Sequence, residues 1–352
     1  MVKNTVELNV EQLEIGMKIS KDITKNGTVL VKSEVVINEE LLERLKNILF
    51  LDKVQVYASE DIIQQSTKEA EIEKVEKTFQ EVSSELKDLF IKMEIVKKNS
   101  VEELRKFAEK IQNQLKSNNL VISSVIFNGS KDDCIYRHGV NVAALSAMLG
   151  KWIGFEQSKI NLLMYSALLH DFGMTKLSSK FQKRYDLVTD KNYREVREHT
   201  KIAYKYVDEI PYLDKSVAYG VLMHHERVDG TGYPFKLKDE KIHPFAKIIA
   251  IADELDVLNS NKDLKDSCGP FRALNEIKEK SLNELDYNYS MIFLNHILNF
   301  YIGEEVILSN GEKAKILQMN VNDIEKPLLL KDDEFIDLAK NKDIYVKELV
   351  IK

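Results

Sequence analysis

Hydrophobic residues recur along this chain in distinct rhythms. In residues 1–64 they alternate over short runs. GTVLVKSEVVI reads as strand, turn and strand with Gly27 opening it, NEELLERLKNIL as a helix, and DKVQVYA as a further strand. Together they predict a small α+β N-terminal domain. Residues 65–119 are charged, and Val101, Leu104, Phe107, Ile111 and Leu115 return every three or four positions, the stripe of an amphipathic helix. Such a helical connector either packs on neighbouring helices or pairs two chains as a homodimer. Residues 120–302 are helix-rich: INLLMYSALLH, REVREHTKIAYKYVDEI, SVAYGVLMHH and FAKIIAIADELDVLN each carry a helical apolar face. Residues 303–352 turn strand-like. EEVILSNGEKAKILQM is two strands around Asn310-Gly311, a hairpin signal, and DIYVKELVI adds another. The expected protein is multidomain and mainly α, with a helical bundle between a small α+β domain and a short β-rich C-terminal segment.

Composition narrows the function classes. Apolar residues make up 44% of 352, as in a soluble globular protein. Lys and Arg number 51 against 57 Asp and Glu, a net charge of −6, which argues against duplex nucleic acid as a partner. A small anionic nucleotide in a local site remains compatible with that balance. Cys134 and Cys268 are the only cysteines, so no disulfide framework is expected and a reducing cytoplasm is. MVKNTVELNV lacks the apolar core of a signal peptide, and no apolar run approaches membrane-spanning length. The expectation is a cytoplasmic protein without a membrane span.

The chemistry is concentrated in the helical region, where all seven histidines lie between positions 138 and 296. In chain order the candidate ligands are His138, the pair His170-Asp171, His199, the pair His224-His225, and Asp253. Imidazole with carboxylate suits Zn, Mn, Fe or Ni rather than Ca. Seven ligands exceed one tetrahedral metal but suffice for two that share a bridging carboxylate. Two metals about 3.5–4 Å apart suit phosphoester hydrolysis, because they polarise phosphoryl oxygens and turn water into hydroxide near neutral pH. LLHD ends an apolar helix in two polar groups, and IADELD sets Asp253 in another; burying such groups without a partner is costly. His243 and His296 lack such company and read as structural.

HHERVDGTGYP, residues 224–234, joins two of these histidines to a glycine-rich turn. With the His170-Asp171 dyad and Asp253 beyond it, this stretch resembles the HD-GYP domain, a branch of the HD metal-dependent phosphohydrolases, over roughly residues 125–300. The resemblance implies a mostly helical fold with an iron or manganese site, and hydrolysis of the bacterial second messenger cyclic di-GMP to pGpG or GMP. It implies one metal on His138, His170, Asp171 and Asp253, and a second on Asp171, the bridge, with His199, His224 and His225. A metal-bound hydroxide would be the nucleophile. Gly232, Tyr233 and Pro234 would shape the substrate mouth, and Lys262 and Lys265 would meet the substrate phosphates where the family carries Arg and Lys. Met174 stands where the family often has a lysine, with Lys176 two residues on. Cys134 stands where some members have a glutamate for a third metal, so two metals are expected. Two other readings stay open here. One is a phosphohydrolase of another nucleotide or cyclic dinucleotide; the other is a catalytically silent nucleotide-binding module for signalling.

Overall fold

The computed structural model describes residues 5–9, 13, 15–25, 28–48, 53–57, 60–93, 100–115, 118–130, 134–177, 193–260, 270–341 and 343–350. The chain divides into two compact units, Met1–Glu71 and Ile72–Ile351. In the first, strand β1 (Thr5–Asn9) pairs antiparallel with β5 (Lys53–Tyr57), which pairs in turn with β2 (Lys18–Ile19). Strands β3 (Ile23–Lys25) and β4 (Thr28–Val31) form a hairpin, and helix α1 spans Glu39–Ile48. Ile19, Ile37, Leu45, Val54 and Val56 close a small core.

One expectation here needs correction. The second half of GTVLVKSEVVI forms no strand; Val36 makes only an isolated bridge to Lys18, and β4 pairs backwards with β3. The expected turn is present: Asp22 Oδ1 accepts from the Ser33 amide at 2.7 Å, and Glu34 takes a left-handed φ of 69°. The segment after it meets only the two-residue β2 and Met17, with the Ile19 amide on the Val35 oxygen and the Ile37 amide on the Met17 oxygen, too short a partner for a strand.

The second unit is helical up to its C-terminal sheet. Helix α2 (Glu60–Met93) crosses the boundary between the units, and the helices described wholly within the second are α3 (Ser100–Gln114), α4 (Asn118–Asn128), α5 (Cys134–Ile153), α6 (Gln157–Leu169), α7 (Tyr193–Arg197), α8 (His199–Asp208), α9 (Lys215–Met223), α10 (Pro244–Ser260), α11 (Arg272–Lys280) and α12 (Tyr287–Tyr301). Strands β6 (Glu305–Leu308), β7 (Lys313–Gln318), β8 (Leu328–Lys331), β9 (Glu334–Asp337) and β10 (Val346–Val350) form one antiparallel sheet in the order β10-β6-β7-β8-β9. Gly311, at φ 86°, makes the expected turn between β6 and β7. The sheet's Val306, Leu308 and Ile316 belong to the same apolar core as the helices. Among the described residues no helix is long and apolar enough to cross a membrane.

The stretch expected as a connector contributes to that core. Val75, Phe79, Val82, Leu86, Phe90 and Met93 of α2 are buried, as are Leu104, Phe107 and Ile111 of α3. Helix α5 packs on α6 and α10, and α9 packs on α6, α8 and α10. Close approach relies on small residues: a Cβ at Gly220 would meet Ser166 Oγ of α6 at 2.1 Å. The stretch REVREHTKIAYKYVDEI, read as one helix, is broken at Glu198 into α7 and α8, so that His199 opens a helix instead of lying inside one. Leu86 is fully buried in this core. Leu86→Ala is expected to destabilise the protein by about 2–5 kcal/mol, as read by urea denaturation. A loss near zero would show that α2 does not belong to the core.

Candidate metal centre

Each candidate ligand stands at a helix end or on a helix flank that the local sequence accounts for. Helix α6 stops at Leu169, leaving His170 as its last αR residue and Asp171 at φ −98°, ψ 9° before a 3-10 turn over Phe172–Lys176. Gly173 decides this geometry. A Cβ there would lie 2.0 Å from the His199 carbonyl oxygen, so only glycine lets the turn meet the start of α8. The break at Glu198 falls at this contact. Helix α9, capped by Asp214 at the Ser216 amide, ends at Met223 and delivers His224 and His225. Asp253 lies on α10, and His138 lies one turn into α5.

The structure brings all seven residues together. His138, His170, Asp171, His199 and His224 are buried and Asp253 is 7% exposed, while His225 stands at the more open side. Asp171 divides the site. Its Oδ2 faces His170 Nε2 at 3.5 Å and His138 Nε2 at 3.8 Å. Its Oδ1 faces His199 Nε2 at 3.3 Å and His224 Nε2 at 3.9 Å. Asp253 Oδ1 is 3.1 Å from His138 Nε2, and its Oδ2 is 4.0 Å from His225 Nδ1. Donor atoms of Asp171, His199, His224 and His225 converge as one group, those of His138, His170 and Asp171 as another.

The tautomers follow from elementary hydrogen bonding. Nδ1 of His170, His199 and His224 lies 2.6, 2.6 and 2.7 Å from the carbonyl oxygen three residues earlier, on Ala167, Val196 and Val221. A carbonyl only accepts, so each Nδ1 carries a proton and Nε2 is the atom each ring turns into the site. Burial pushes the His199 pKa down, and burial together with His170 and His199 takes His224 to about 3. Their Nε2 atoms, 3.4 Å apart, therefore face each other without a proton between them. Burial resists ionisation of Asp171, yet the surrounding imidazoles, His170 foremost, hold its carboxyl below the usual range. Converging lone pairs around a buried anion fit a cation. His138 differs: burial works against its proton, but Asp253 and Asp256 raise its pKa well above the ordinary value. A metal held on that side would have to displace this proton.

Residues that the sequence reading passed over hold the frame. Asp256, fully buried, accepts from His138 Nδ1 at 2.8 Å. It lies three residues after Asp253 in IADELD, on the same helix face, which was the available signal. Glu226 of HHE is no ligand. Its carboxylate accepts from the Phe235 amide at 2.7 Å and the Leu237 amide at 2.8 Å, pinning the chain after Pro234. Gly232 fits against this hairpin because a Cβ would meet the Arg227 nitrogen at 2.3 Å and the His225 oxygen at 2.5 Å. Tyr233, partly exposed, stacks on His225 at 4.7 Å, and the Arg197 guanidinium lies 4.9 Å from its ring centre. Met174 is buried, and Lys176 lies over the Phe172 and Tyr206 rings. His243 and His296 lie outside the cluster: His243 Nδ1 accepts from the Phe245 amide, and His296 stacks on Trp152. Lys262, Lys265 and the Cys134 side chain lie outside the described residues.

A model of the HD domain family matches residues 99–288. A protein of Borreliella burgdorferi named cyclic di-GMP phosphodiesterase PdeB is 26% identical over 215 residues, 60% of this chain and 56% of that protein. A Vibrio cholerae protein named 3'3'-cGAMP-specific phosphodiesterase 1 is 24% identical over 173 residues, 49% of this chain and 40% of its own. The chain thus spans about half the length of the curated relatives it matches. In fold it is similar to Bd1817, a solved HDG"Y"P protein from Bdellovibrio bacteriovorus, with a TM-score of 0.54 at 21% identity over 84% of this chain and 100% of that one.

Two outcomes follow from the geometry. Loading the metal-free protein with Mn(II) is expected to release a proton at neutral pH, and affinity should rise with pH until it passes the raised pKa of His138. Calorimetry in buffers of different ionisation enthalpy measures this; proton-neutral loading would contradict it. Gly173→Ala should lower bound metal per chain by elemental analysis, because the turn and His199 can no longer meet.

Proposed function

The chain belongs to the HD domain family, in its HD-GYP branch, and from that premise we propose that it is a metal-dependent phosphodiesterase that hydrolyses cyclic di-GMP to pGpG, GMP or both. The observation that carries the reading is the division of Asp171 between two groups of imidazoles. Its donor set is nitrogen and carboxylate oxygen, which suits iron or manganese. His138, His170, Asp171 and Asp253 would hold one ion, and Asp171, His199, His224 and His225 the other. When bound, two such ions supply Lewis-acid polarisation of a phosphodiester and activation of water.

The chain's own residues do the rest. The Nδ1–carbonyl bonds hold three imidazoles with Nε2 aimed into the site, so little reorientation is needed when a dianionic substrate arrives. Glu226 and Gly232 fold the GYP turn back on His225 and hold Tyr233 and Pro234 at the rim. There Tyr233 offers a ring against a purine and Arg197 brings positive charge beside it; Lys262 and Lys265, outside the described residues, are the further cations proposed to meet the phosphates. Burial of Met174 leaves these cations, in place of a lysine after the HD dyad, to meet the substrate.

A second cyclic dinucleotide, 3'3'-cGAMP, is the competing substrate, since a relative named for it matches the same region. Chromatography of products from a nucleotide panel separates the two. We expect Asp171→Asn to abolish turnover of cyclic di-GMP. Tyr233→Ala should raise KM several-fold and leave metal content unchanged. Wild-type turnover in Asp171→Asn at saturating metal would refute the two-metal reading. An unchanged KM in Tyr233→Ala would remove Tyr233 from the substrate site.

A further inference from the structure

A buried chain of hydrogen bonds leads away from the metal centre and ends on a helix that precedes the residues matched by the family model. Asp256 Oδ2 accepts from His138 Nδ1 at 2.8 Å. Its other oxygen, Oδ1, accepts from Asn141 Nδ2 at 2.7 Å. Asn141 Oδ1 accepts from Arg137 Nε at 2.9 Å. A second arm of the Arg137 guanidinium donates to Glu76 Oε2 at 2.7 Å, and Ser124 Oγ donates to the same oxygen at 3.1 Å. Glu76 lies on α2, whereas the family model begins at residue 99. Asn141 and Asp256 are fully buried, and the Arg137 and Glu76 side chains are 5% and 13% exposed. Phe79, also on α2, lies under the Arg137 guanidinium, its ring centre 5.1 Å away.

The chain has a fixed polarity. Arginine can only donate, so Asn141 must turn its oxygen toward Arg137 and its amide nitrogen toward Asp256. A carboxylate can only accept, so the proton between Asp256 and His138 sits on Nδ1. Ser130 Oγ also donates to Asp256 Oδ2, so the carboxylate is held at one oxygen by Ser130 and at the other by the Arg137–Asn141 arm, and it holds His138 with Nε2 facing Asp171 and Asp253. Glu76 and Phe79 are what hold the guanidinium in its orientation. An ion pair this deeply buried contributes little net stability against an apolar replacement, and specifying one arrangement is its better-attested use.

We propose that Glu76 is a positioning residue for His138, acting through Arg137, Asn141 and Asp256, so that a helix outside the family's matched region tunes one half of the metal centre. The inference rests on the reading of His138 as a metal ligand. It predicts an asymmetric effect, because His199, His224 and His225 take their orientation from elsewhere: the first two from the backbone carbonyls of Val196 and Val221, the third from its stack on Tyr233.

The test is Mn(II) titration of the metal-free full chain by calorimetry, resolved into two sites. Asp256→Asn is expected to weaken the His138 site by about 10–100-fold, and Glu76→Gln to weaken it by about 3–10-fold, while the other site keeps its wild-type affinity. Because the two act in series, the double variant should resemble Asp256→Asn alone. Should Glu76→Gln fail to fold, Asn141→Ala breaks the chain while keeping the Glu76–Arg137 pair, and the same asymmetric loss is expected. Equal weakening of both sites, wild-type affinity with only a lowered Tm, or additive losses in the double variant would overturn the proposal. Failure of the wild-type protein to bind Mn(II) at all would overturn the metal reading and the proposal together.

Discussion

The carboxylate of Asp171 is the constraint on which the rest of the structure depends. One of its oxygens faces His138 and His170, the other His199 and His224, all within 3.9 Å and out of water. An anion in that position is costly unless positive charge is close, and His199 and His224, which burial keeps from protonating, turn Nε2 lone pairs toward it. The surrounding fold is the scaffold this arrangement requires. Helix α6 must end at Leu169 so that two successive residues point into one space, and Gly173 must lack a side chain so that His199 can approach. Three rings are locked by the same device, an Nδ1–H bond to the carbonyl three residues back, which costs no extra side chain. The fourth, His138, cannot use that device inside α5, and a buried aspartate holds it instead.

Two oppositely built halves result. The His199–His224 half has its imidazole pKa values driven down by burial, whereas the His138 half is pulled the other way by Asp253 and Asp256. A cation bound by the first half would meet little competition from protons, whereas one bound by the second would have to displace one. The halves also differ in support. The first is framed by backbone and by the GYP turn that Glu226 pins, the second by side chains reaching across α5 and α10 to α2.

Much of the centre was legible in the sequence because its ligands come in pairs at helix ends, and a polar pair closing an apolar run is hard to account for otherwise. All seven candidates do converge in space. What escaped was support. Glu226 adjoins the His224-His225 pair and received no role from the sequence; its carboxylate accepts from the Phe235 and Leu237 amides, a fact that only the folded hairpin reveals. Asp256 is one turn from Asp253, but which of two carboxylates on a face reaches the metal depends on where α5 lies. The periodicity of residues 101–115 identified a helix correctly without saying what would cover it; its apolar side chains, with those of α2, enter the core of the second unit. The run containing His199 carries a continuous helical pattern, and its break at Glu198 is imposed by the Gly173 turn, a tertiary contact invisible to local periodicity.

The central claim is that one carboxylate joins two metals. Electron paramagnetic resonance of the full chain loaded with Mn(II) tests it most directly, because ions bridged by Asp171 are exchange-coupled and ions in separate sites are not. The account predicts a coupled spectrum from two ions per chain in the wild type, giving way to the six-line signal of isolated Mn(II) in Asp171→Asn. An uncoupled six-line signal from the fully loaded wild-type protein would contradict it.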